Sequence, residues 1–371
     1  MKPSELTLIA GATVLFFTLN AQSLREAHEW TLRRAPDAKL VNLRLEVSEK
    51  RGLGWGRSSH GTDIPWSTIQ GLQPSQLDTG STNAKFTIVR DAGRFVCEGI
   101  TGMGRGTGSF KFEANPNFAG QLRQLGYLSP DDEQVYRMAM NDISLEFARY
   151  VRDSGLRATT AELIELRIHG VTREYIGQMR DFGFTELVAR DFVEMKIHGV
   201  QPDFVRGLKA AGYNLTSREI VEMRIHGVTN EFPTELKQAG FNLSQREIVE
   251  MKIHGIDREY IRQLKTYGLN PPAKDLVEMK IHGVRPEYLK ALQDAGYKDL
   301  ATREVTNLKI HGVSPEFIKD TKAMGYNFTL RELTEMKIHG VNSPYLQKLR
   351  ASGFQNLTAD KIVKLRIHGI D

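Results

Sequence analysis

A five-residue phrase, Lys/Arg-Ile-His-Gly-Val/Ile, occurs eight times between residues 167 and 370, and consecutive copies are 28 or 29 residues apart. A period between 20 and 50 residues is typical of repeat proteins, in which each unit buries its apolar face only against its neighbours. This period constrains the fold more than any other feature of the chain. The repeat-defining residues are His169, Gly170, His198, Gly199, His226, Gly227, His254, Gly255, His282, Gly283, His311, Gly312, His339, Gly340, His368 and Gly369.

One copy shows what each repeat is expected to form. Thr216 with Glu219 three residues later is a capping box, which predicts that a first helix starts there. Gly227 and Val228 suit a glycine cap closed by an apolar residue, which predicts its end. We expect Thr229 to cap a second helix, which in other copies has proline at its first position. Each repeat is thus predicted to be a helical hairpin, and residues 116–371 an α-solenoid of such hairpins.

Apolar residues predict which helix faces are buried. In the first helix of this copy, Ile220, Val221, Met223 and Ile225 spread over roughly 200° of the helical wheel, so we expect this helix to be packed on two sides. The second helix has a single narrow apolar stripe and should leave a broad face in contact with water.

The region before the repeats has a different pattern. Apolar and polar residues alternate in residues 40–47, 85–89, 94–98 and 109–113, which predicts strands, and Asp91-Ala92-Gly93 suits a tight hairpin. We therefore predict a small glycine-rich antiparallel β-domain over residues 24–115. Its two glycine-rich stretches, 51–61 and 102–108, are interpreted as hairpin tips. The predicted fold class is α+β: an α-solenoid of tandem helical hairpins preceded by this domain.

The first 22 residues are predicted to be a signal peptide or a short membrane anchor. Lys2 precedes an apolar run over residues 6–19, and Ala21 is suitably placed for cleavage. A cleaved signal would make the protein periplasmic or secreted. Cys97 is the only cysteine, which excludes an intramolecular disulfide.

The repeated histidine follows a glutamate by four residues in six copies, and this spacing places both on one helix face. Such pairs could form a ladder of metal sites. A site needs three or more ligands, however, and two copies lack the glutamate. We favour a structural role in which each imidazole bridges the end of its helix to an adjacent turn. No metal and no cofactor are expected.

The repeated basic residue has two interpretations. Its charged end could contact an acidic residue of the next hairpin, such as Glu174, Asp203, Glu231 or Glu287, while its stem is buried. Alternatively, the basic residues could form a ladder for an anionic polymer. We favour the first because the acidic residue recurs as regularly as the basic one. The basic residues are Arg167, Lys196, Arg224, Lys252, Lys280, Lys309, Lys337 and Arg366.

Evidence for catalysis is sparse. The sequence has no P-loop, no Gly-x-Ser-x-Gly and no zinc-protease helix motif, so we predict that the protein is not an enzyme. Trp55, His60 and Trp66 could line a ligand groove, although packing of the tryptophans in the core is the favoured interpretation. An enzyme centred near His60 is the least favoured class.

The phrase Val-Glu-Met-Lys-Ile-His-Gly-Val, followed in several copies by Pro-Glu-Phe/Tyr, resembles tandem helical repeats of bacterial extracytoplasmic proteins. In some of those proteins the repeats are appended to membrane metallopeptidases of the β-lactam-sensor, antirepressor-cleaving class. The glycine-rich segment before the repeats is similar as well. The zinc motif and membrane helices of the peptidase have no counterpart in this sequence, so the resemblance implies the architecture and not the peptidase activity.

These observations predict a non-enzymatic extracytoplasmic scaffold whose solenoid surface binds a protein or peptide. The alternative is a repeat protein that binds nucleic acid or another anionic polymer. A net charge of +5 permits anionic partners but is too small to require them. Membrane contact is expected only through an uncleaved N-terminus, and the oligomeric state is left open.

Overall fold

The structure is a computed structural model that describes residues 26–51 and 54–370, so the predicted signal segment lies outside it. In the described residues an antiparallel sheet precedes eighteen α-helices, which confirms the α+β fold with helical repeats. The strands are β1 (Glu26–Arg34), β2 (Leu40–Arg51), β3 (Gly54–Pro65), β4 (Ile69–Gln70), β5 (Thr82–Arg90), β6 (Gly93–Gly102) and β7 (Arg105–Ala114).

The described strands form one sheet in the order β3-β2-β1-β7-β6-β5-β4, with every neighbouring pair antiparallel. In β1, β2, β5 and β6 alternate residues are buried on one face, as a half-buried sheet requires. Trp30, Leu43, Phe86, Phe95 and Phe110 are the large side chains of this core. The alternating runs all lie in strands, and the predicted hairpin joins β5 to β6.

The two glycine-rich stretches differ from the expected hairpin tips. Residues 54–61 belong to β3, which pairs with β2 along its whole length. Of residues 102–108, the turn itself is Met103-Gly104, and residues from Arg105 onward belong to β7. Gly99 and Gly108 are opposed across β6 and β7, and a Cβ at either would meet backbone atoms of the other strand. These two glycines therefore permit close strand approach rather than a flexible loop.

The helices are nearly uniform in length, most of them nine residues. They are α1 (Phe118–Gln124), α2 (Asp132–Met140), α3 (Leu145–Asp153), α4 (Thr160–Ile168), α5 (Arg173–Asp181), α6 (Ala189–Ile197), α7 (Pro202–Ala210), α8 (Ser217–Ile225), α9 (Phe232–Gln238), α10 (Gln245–Ile253), α11 (Arg258–Thr266), α12 (Ala273–Ile281), α13 (Pro286–Asp294), α14 (Thr302–Ile310), α15 (Pro315–Ala323), α16 (Leu330–Ile338), α17 (Ser343–Ala351) and α18 (Ala359–Ile367).

By packing, the chain divides into two compact units. The first comprises the described residues up to Ile176 together with Leu187–Val193, and the second comprises Gly177–Glu186 and the described residues from Glu194 onward. Strands give way to helices between Ala114 and Phe118, where we placed the boundary. That a domain boundary lies between residues 115 and 116 stays a prediction.

In the second unit the helices form two layers. The even-numbered helices from α8 to α18 each contact the next even-numbered helix, and the odd-numbered helices from α7 to α17 do the same. We call the even-numbered helices the A layer and the odd-numbered helices the B layer. Residues of consecutive repeats bury one another, as expected for tandem hairpins.

The caps predicted for the first helix of the copy at residues 216–228 are confirmed. Thr216 and Glu219 form a reciprocal capping box at the start of α8. At its end Gly227 has a φ of 73°, and its N–H donates to the Arg224 carbonyl oxygen. The Val228 N–H donates to the Met223 carbonyl oxygen at 2.9 Å, which completes a Schellman motif.

The cap predicted at Thr229 is wrong. Helix α9 begins at Phe232, with Glu231 before it, and therefore starts later than the second helices of most repeats. Pro233 lies in its first turn, where proline fits because its missing N–H has no partner in the helix. The prolines predicted at helix starts are confirmed at Pro202, Pro286 and Pro315.

In the first unit, the helical part of the chain packs on the sheet through α2. Helix α2 contacts β6 and β7, and Tyr136 lies edge-on to Phe112 at 5.1 Å between ring centroids. The side chain of Arg90 is 5% exposed and donates to the carbonyl oxygens of Ala139 and Met140 at the end of α2. Burial lowers the pKa of this guanidinium, and Asp142 at 3.6 Å partly compensates.

Candidate interaction surface

The A helices leave an isoleucine uncovered at their last residue. In α8, Ile220, Val221 and Met223 are buried, whereas Ile225 is 56% exposed. The Schellman cap reverses the chain directly after Ile225, so Val228 rather than Ile225 occupies the apolar position under the helix end. The prediction that Ile225 packs on a second side is therefore wrong.

The same position is exposed in every repeat that carries the phrase. In the second unit the side chains are between 43% and 58% exposed, and in the first unit Ile168 is 46% exposed. We call the members of the second unit the isoleucine row. It comprises Ile197, Ile225, Ile253, Ile281, Ile310, Ile338 and Ile367. Single exposed apolar residues are ordinary, but a repeated set on stacked helices makes this face a candidate interaction surface.

Charged side chains share this face of the A helices. In α8, Arg218, Glu222 and Ile225 are all exposed and lie within about 60° of one another on the helical wheel. In the second unit the position of Arg218 is basic in five consecutive A helices. These residues are Arg218, Arg246, Lys274, Arg303 and Arg331, and they form what we call the basic row.

The position of Glu222 is acidic in most of the same helices, and Asn307 replaces it in α14. In α18 the two charges are exchanged, and Lys364 pairs with Asp360 at 2.8 Å. In α8, α10, α12 and α16 the exposed face therefore runs from a cation through an anion to an apolar residue.

The repeated Lys/Arg of the phrase contacts an aromatic ring, not an acidic residue. The guanidinium carbon of Arg224 lies 5.0 Å from the centroid of the Phe204 ring, and the ammonium of Lys280 lies 4.1 Å from that of Tyr260. Four further members of the phrase in the second unit and one in the first have the same contact. They are Lys252, Lys309, Lys337 and Arg366, with Arg167.

This contact corrects the predicted ion pairs. Among the described residues, Glu174, Glu231 and Glu287 have no ion pair with the repeated Lys/Arg, and Asp203 pairs instead with Arg206. A cation held over a ring at a half-buried position is stabilised by the ring's negative face. The sequence does carry the signal, because an aromatic residue precedes each of these cations by 20 or 21 residues.

The aromatic residue also links successive turns when it is a tyrosine. The hydroxyl of Tyr260 donates to the Val284 carbonyl oxygen at 2.9 Å, and that of Tyr288 to the Val313 carbonyl oxygen at 2.9 Å. Burial raises the pKa of Tyr260 to about 12, so its hydroxyl stays protonated as a donor. Phe204 has no hydroxyl, and in that repeat Arg224 donates to the equivalent carbonyl oxygen, that of Val228, at 3.0 Å.

The histidines act through their backbone. The His226 N–H donates to the Glu222 carbonyl oxygen at 3.1 Å, and the residue ends helix α8. Its imidazole is exposed. The bridge to an adjacent turn is absent from the described residues, where the ring contacts found are to the glutamate of the same helix. These are His339 to Glu335 at 3.2 Å and His169 to Glu165 at 3.6 Å.

The predicted ligand groove lies partly outside the described side chains. Trp55 and His60 lie on β3, but their side chains are outside the described part of the structure, and Trp66 is half-buried in a short 3-10 helix. The ligand groove therefore stays a prediction. Cys97 is buried in β6, and burial raises the pKa of its thiol to about 12. In the described residues no group of three or more histidine, cysteine, aspartate or glutamate side chains could hold a metal ion.

Comparisons with protein-family models, with curated proteins and with solved structures found no match. Over the described residues, no helix combines the length and the apolar character needed to cross a membrane. The class that the fold defines is an α+β protein with tandem helical repeats.

Proposed function

We propose that the protein is a non-enzymatic binding scaffold that engages a protein or peptide partner through the exposed face of the A layer. The isoleucine row is the observation that carries this proposal. Seven isoleucines at equivalent positions are held about half-exposed by seven copies of one cap. A repeat protein can position such residues regularly because each hairpin packs on the next in the same way.

The spacing of the row suits an extended chain. Packed helices lie about 8–10 Å apart, and three residues of an extended peptide span about 9–10 Å. A partner with an apolar residue at every third position would therefore contact successive isoleucines. The charged residues beside the row would contact polar groups along one side of this partner, since α8, α10, α12 and α16 each present a cation and an anion on the face that carries the isoleucine.

Nucleic acid or another anionic polymer is the second candidate, and the basic row favours it. Arg218 and Arg246 are exposed and, among the described residues, have no ion pair. Against this candidate, Glu222 and Glu250 lie on the same face, and the Lys/Arg of the phrase is occupied by aromatic rings.

A variant in the middle of the row tests the proposal. Replacing Ile253, Ile281 and Ile310 by asparagine removes the apolar row over three consecutive A helices, without touching the core. The matched control replaces the neighbouring His254, His282 and His311 by asparagine. Proteins of an envelope fraction captured by the wild type are identified, and the dissociation constant of the purified partner is measured for all three forms. We expect at least tenfold weaker binding for the isoleucine variant and unchanged binding for the control.

Equal loss in both variants, or none in the isoleucine variant, would contradict the assignment of the row. Titration with mixed oligonucleotides at two salt concentrations tests nucleic-acid binding, because phosphate contacts give steeply salt-dependent binding. Replacing Arg218, Arg246 and Lys274 by glutamine would then abolish the binding.

We also propose that the protein acts outside the cytoplasm. The support is the sequence pattern of residues 1–22, with a short apolar run and a small residue at its end. N-terminal sequencing of protein isolated from the native cell envelope or medium tests this. A mature N-terminus shortly after Ala21 is the expected result, and cytosolic protein that starts at Met1 would contradict it.

A further inference from the structure

Two arginines are directly opposed on neighbouring strands of the sheet. The register of β1 and β7 pairs Arg33 with Arg105, and both side chains are exposed. Like charges directly opposite each other on a sheet are destabilising. The opposed arginines therefore lower the stability of this sheet unless an anion lies between them.

Among the described residues, Arg33 and Arg105 make no ion pair and no side-chain hydrogen bond. Basic residues nearby do have carboxylate partners: Arg34 pairs with Asp78, and Lys85 pairs with Glu98 at 2.7 Å. The two opposed guanidinium groups are therefore available to an external anion.

A cavity of about 580 Å³ adjoins the arginine pair. The described residues that line it include no carboxylate. Thr31 and Thr107, which are also opposed across β1 and β7, supply hydroxyl groups. Ile100, half-exposed, and Met103, 86% exposed, supply an apolar side. This volume is in the range of small-molecule sites, which combine an apolar wall with a few polar groups.

Met103 is held at the rim by strained backbone. It lies in the turn between β6 and β7 and has a φ of 54°, a left-handed conformation that a long side chain rarely adopts. Its neighbour Gly104 is also left-handed, with a φ of 79°. The turn thus presents a large apolar side chain to solvent beside two cations.

We propose that this cavity binds a small amphiphilic oxyanion. The carboxylate or phosphate head lies between Arg33 and Arg105, and the apolar tail lies against Ile100 and Met103. Arginine suits this role because its planar fork of N–H groups binds both kinds of head in a bidentate manner. The site belongs to the sheet and is independent of the scaffold proposed for the helices.

Decanoate and decyl phosphate are the probes, used below their micelle concentrations on the full chain. Binding is measured by calorimetry and by the rise in melting temperature. Acetate and inorganic phosphate test the head groups alone, and decyltrimethylammonium tests the tail with the opposite charge. We expect binding of at least one anionic amphiphile, at least tenfold weaker binding of the lone head groups, and none of the cation. The stronger of the two anionic probes identifies the head group.

Arg105→Gln and Ile100→Thr locate the ligand. Arg105→Gln should weaken binding at least tenfold, and it should raise or leave unchanged the melting temperature of the free protein, because it removes a repulsion. Ile100→Thr should weaken binding of the amphiphile several-fold and leave binding of the lone head group unchanged. The matched control is Arg94→Gln, which removes an exposed arginine that pairs with Glu113 on the same sheet, and it should leave binding unchanged.

Two results would overturn the proposal. One is the absence of binding by both anionic amphiphiles. The other is binding that Arg105→Gln does not weaken relative to Arg94→Gln.

Discussion

The cap that ends each A helix makes a quantitative prediction about two neighbouring residues. Gly227 has a φ of 73°, and a Cβ added there would meet no atom within 4 Å. Replacing Gly227 by alanine therefore costs only the left-handed backbone conformation, about 1–2 kcal/mol of unfolding free energy. If the imidazole bridged the helix end to an adjacent turn, as the sequence predicts, His226→Ala would cost a similar amount of unfolding free energy. In the described structure the imidazole is exposed and has no hydrogen bond, so we expect His226→Ala to cost less than about 0.5 kcal/mol.

Urea unfolding followed by circular dichroism measures both variants against the wild type. Gly227→Asn is a useful third variant, because asparagine tolerates the left-handed region better than alanine and should lose less stability. Hydrogen exchange at the amides of Gly227 and Val228 gives a local readout, since these amides make the two hydrogen bonds of the cap. Both should exchange faster in Gly227→Ala and hardly change in His226→Ala.

A loss in His226→Ala as large as that in Gly227→Ala would refute this reasoning. It would mean that the imidazole has a partner that the geometry does not provide. Unchanged stability in Gly227→Ala would be equally damaging, because the cap would then not depend on the left-handed residue.

Two further predictions concern a hydrogen bond between repeats and the capping box of α8. Tyr288→Phe removes the hydroxyl that donates to the buried Val313 carbonyl oxygen, so urea unfolding should show a loss of about 1–2 kcal/mol; no loss would mean that water replaces the hydroxyl. Hydrogen bonds from the backbone and hydroxyl of Thr216 lower the pKa of Glu219 in the folded protein. The stability from this carboxylate is present above its unfolded pKa, about 4.3, and is lost as pH falls through the folded value. Thr216→Ala should therefore cost less stability at pH 3 than at pH 7, and an equal cost at both would contradict this.

Local sequence was sufficient wherever a feature depends on residues a few positions apart. The capping box of Thr216 and Glu219 and the left-handed Gly227 were predictable because their hydrogen bonds join residues within five positions of each other. Alternation in β5, β6 and β7 was predictable for the same reason, since adjacent side chains of a strand point to opposite faces. The start of α9 was mispredicted because threonine is a favourable N-cap residue, which made Thr229 the expected start. In the structure α9 begins at Phe232, with Pro233 in its first turn.

Contacts between residues far apart in sequence required the tertiary structure. The period shows that each helix has neighbours, but not which edge of its apolar arc they cover. Only the packing decides that Met223 is buried and Ile225 exposed. Arg224 lies over Phe204, twenty residues earlier, because the B helix of one repeat packs beneath the A helix of the next. Arg33 opposes Arg105 because of the register of β1 and β7. A shift of one residue would change every pair, and no local pattern specifies that register.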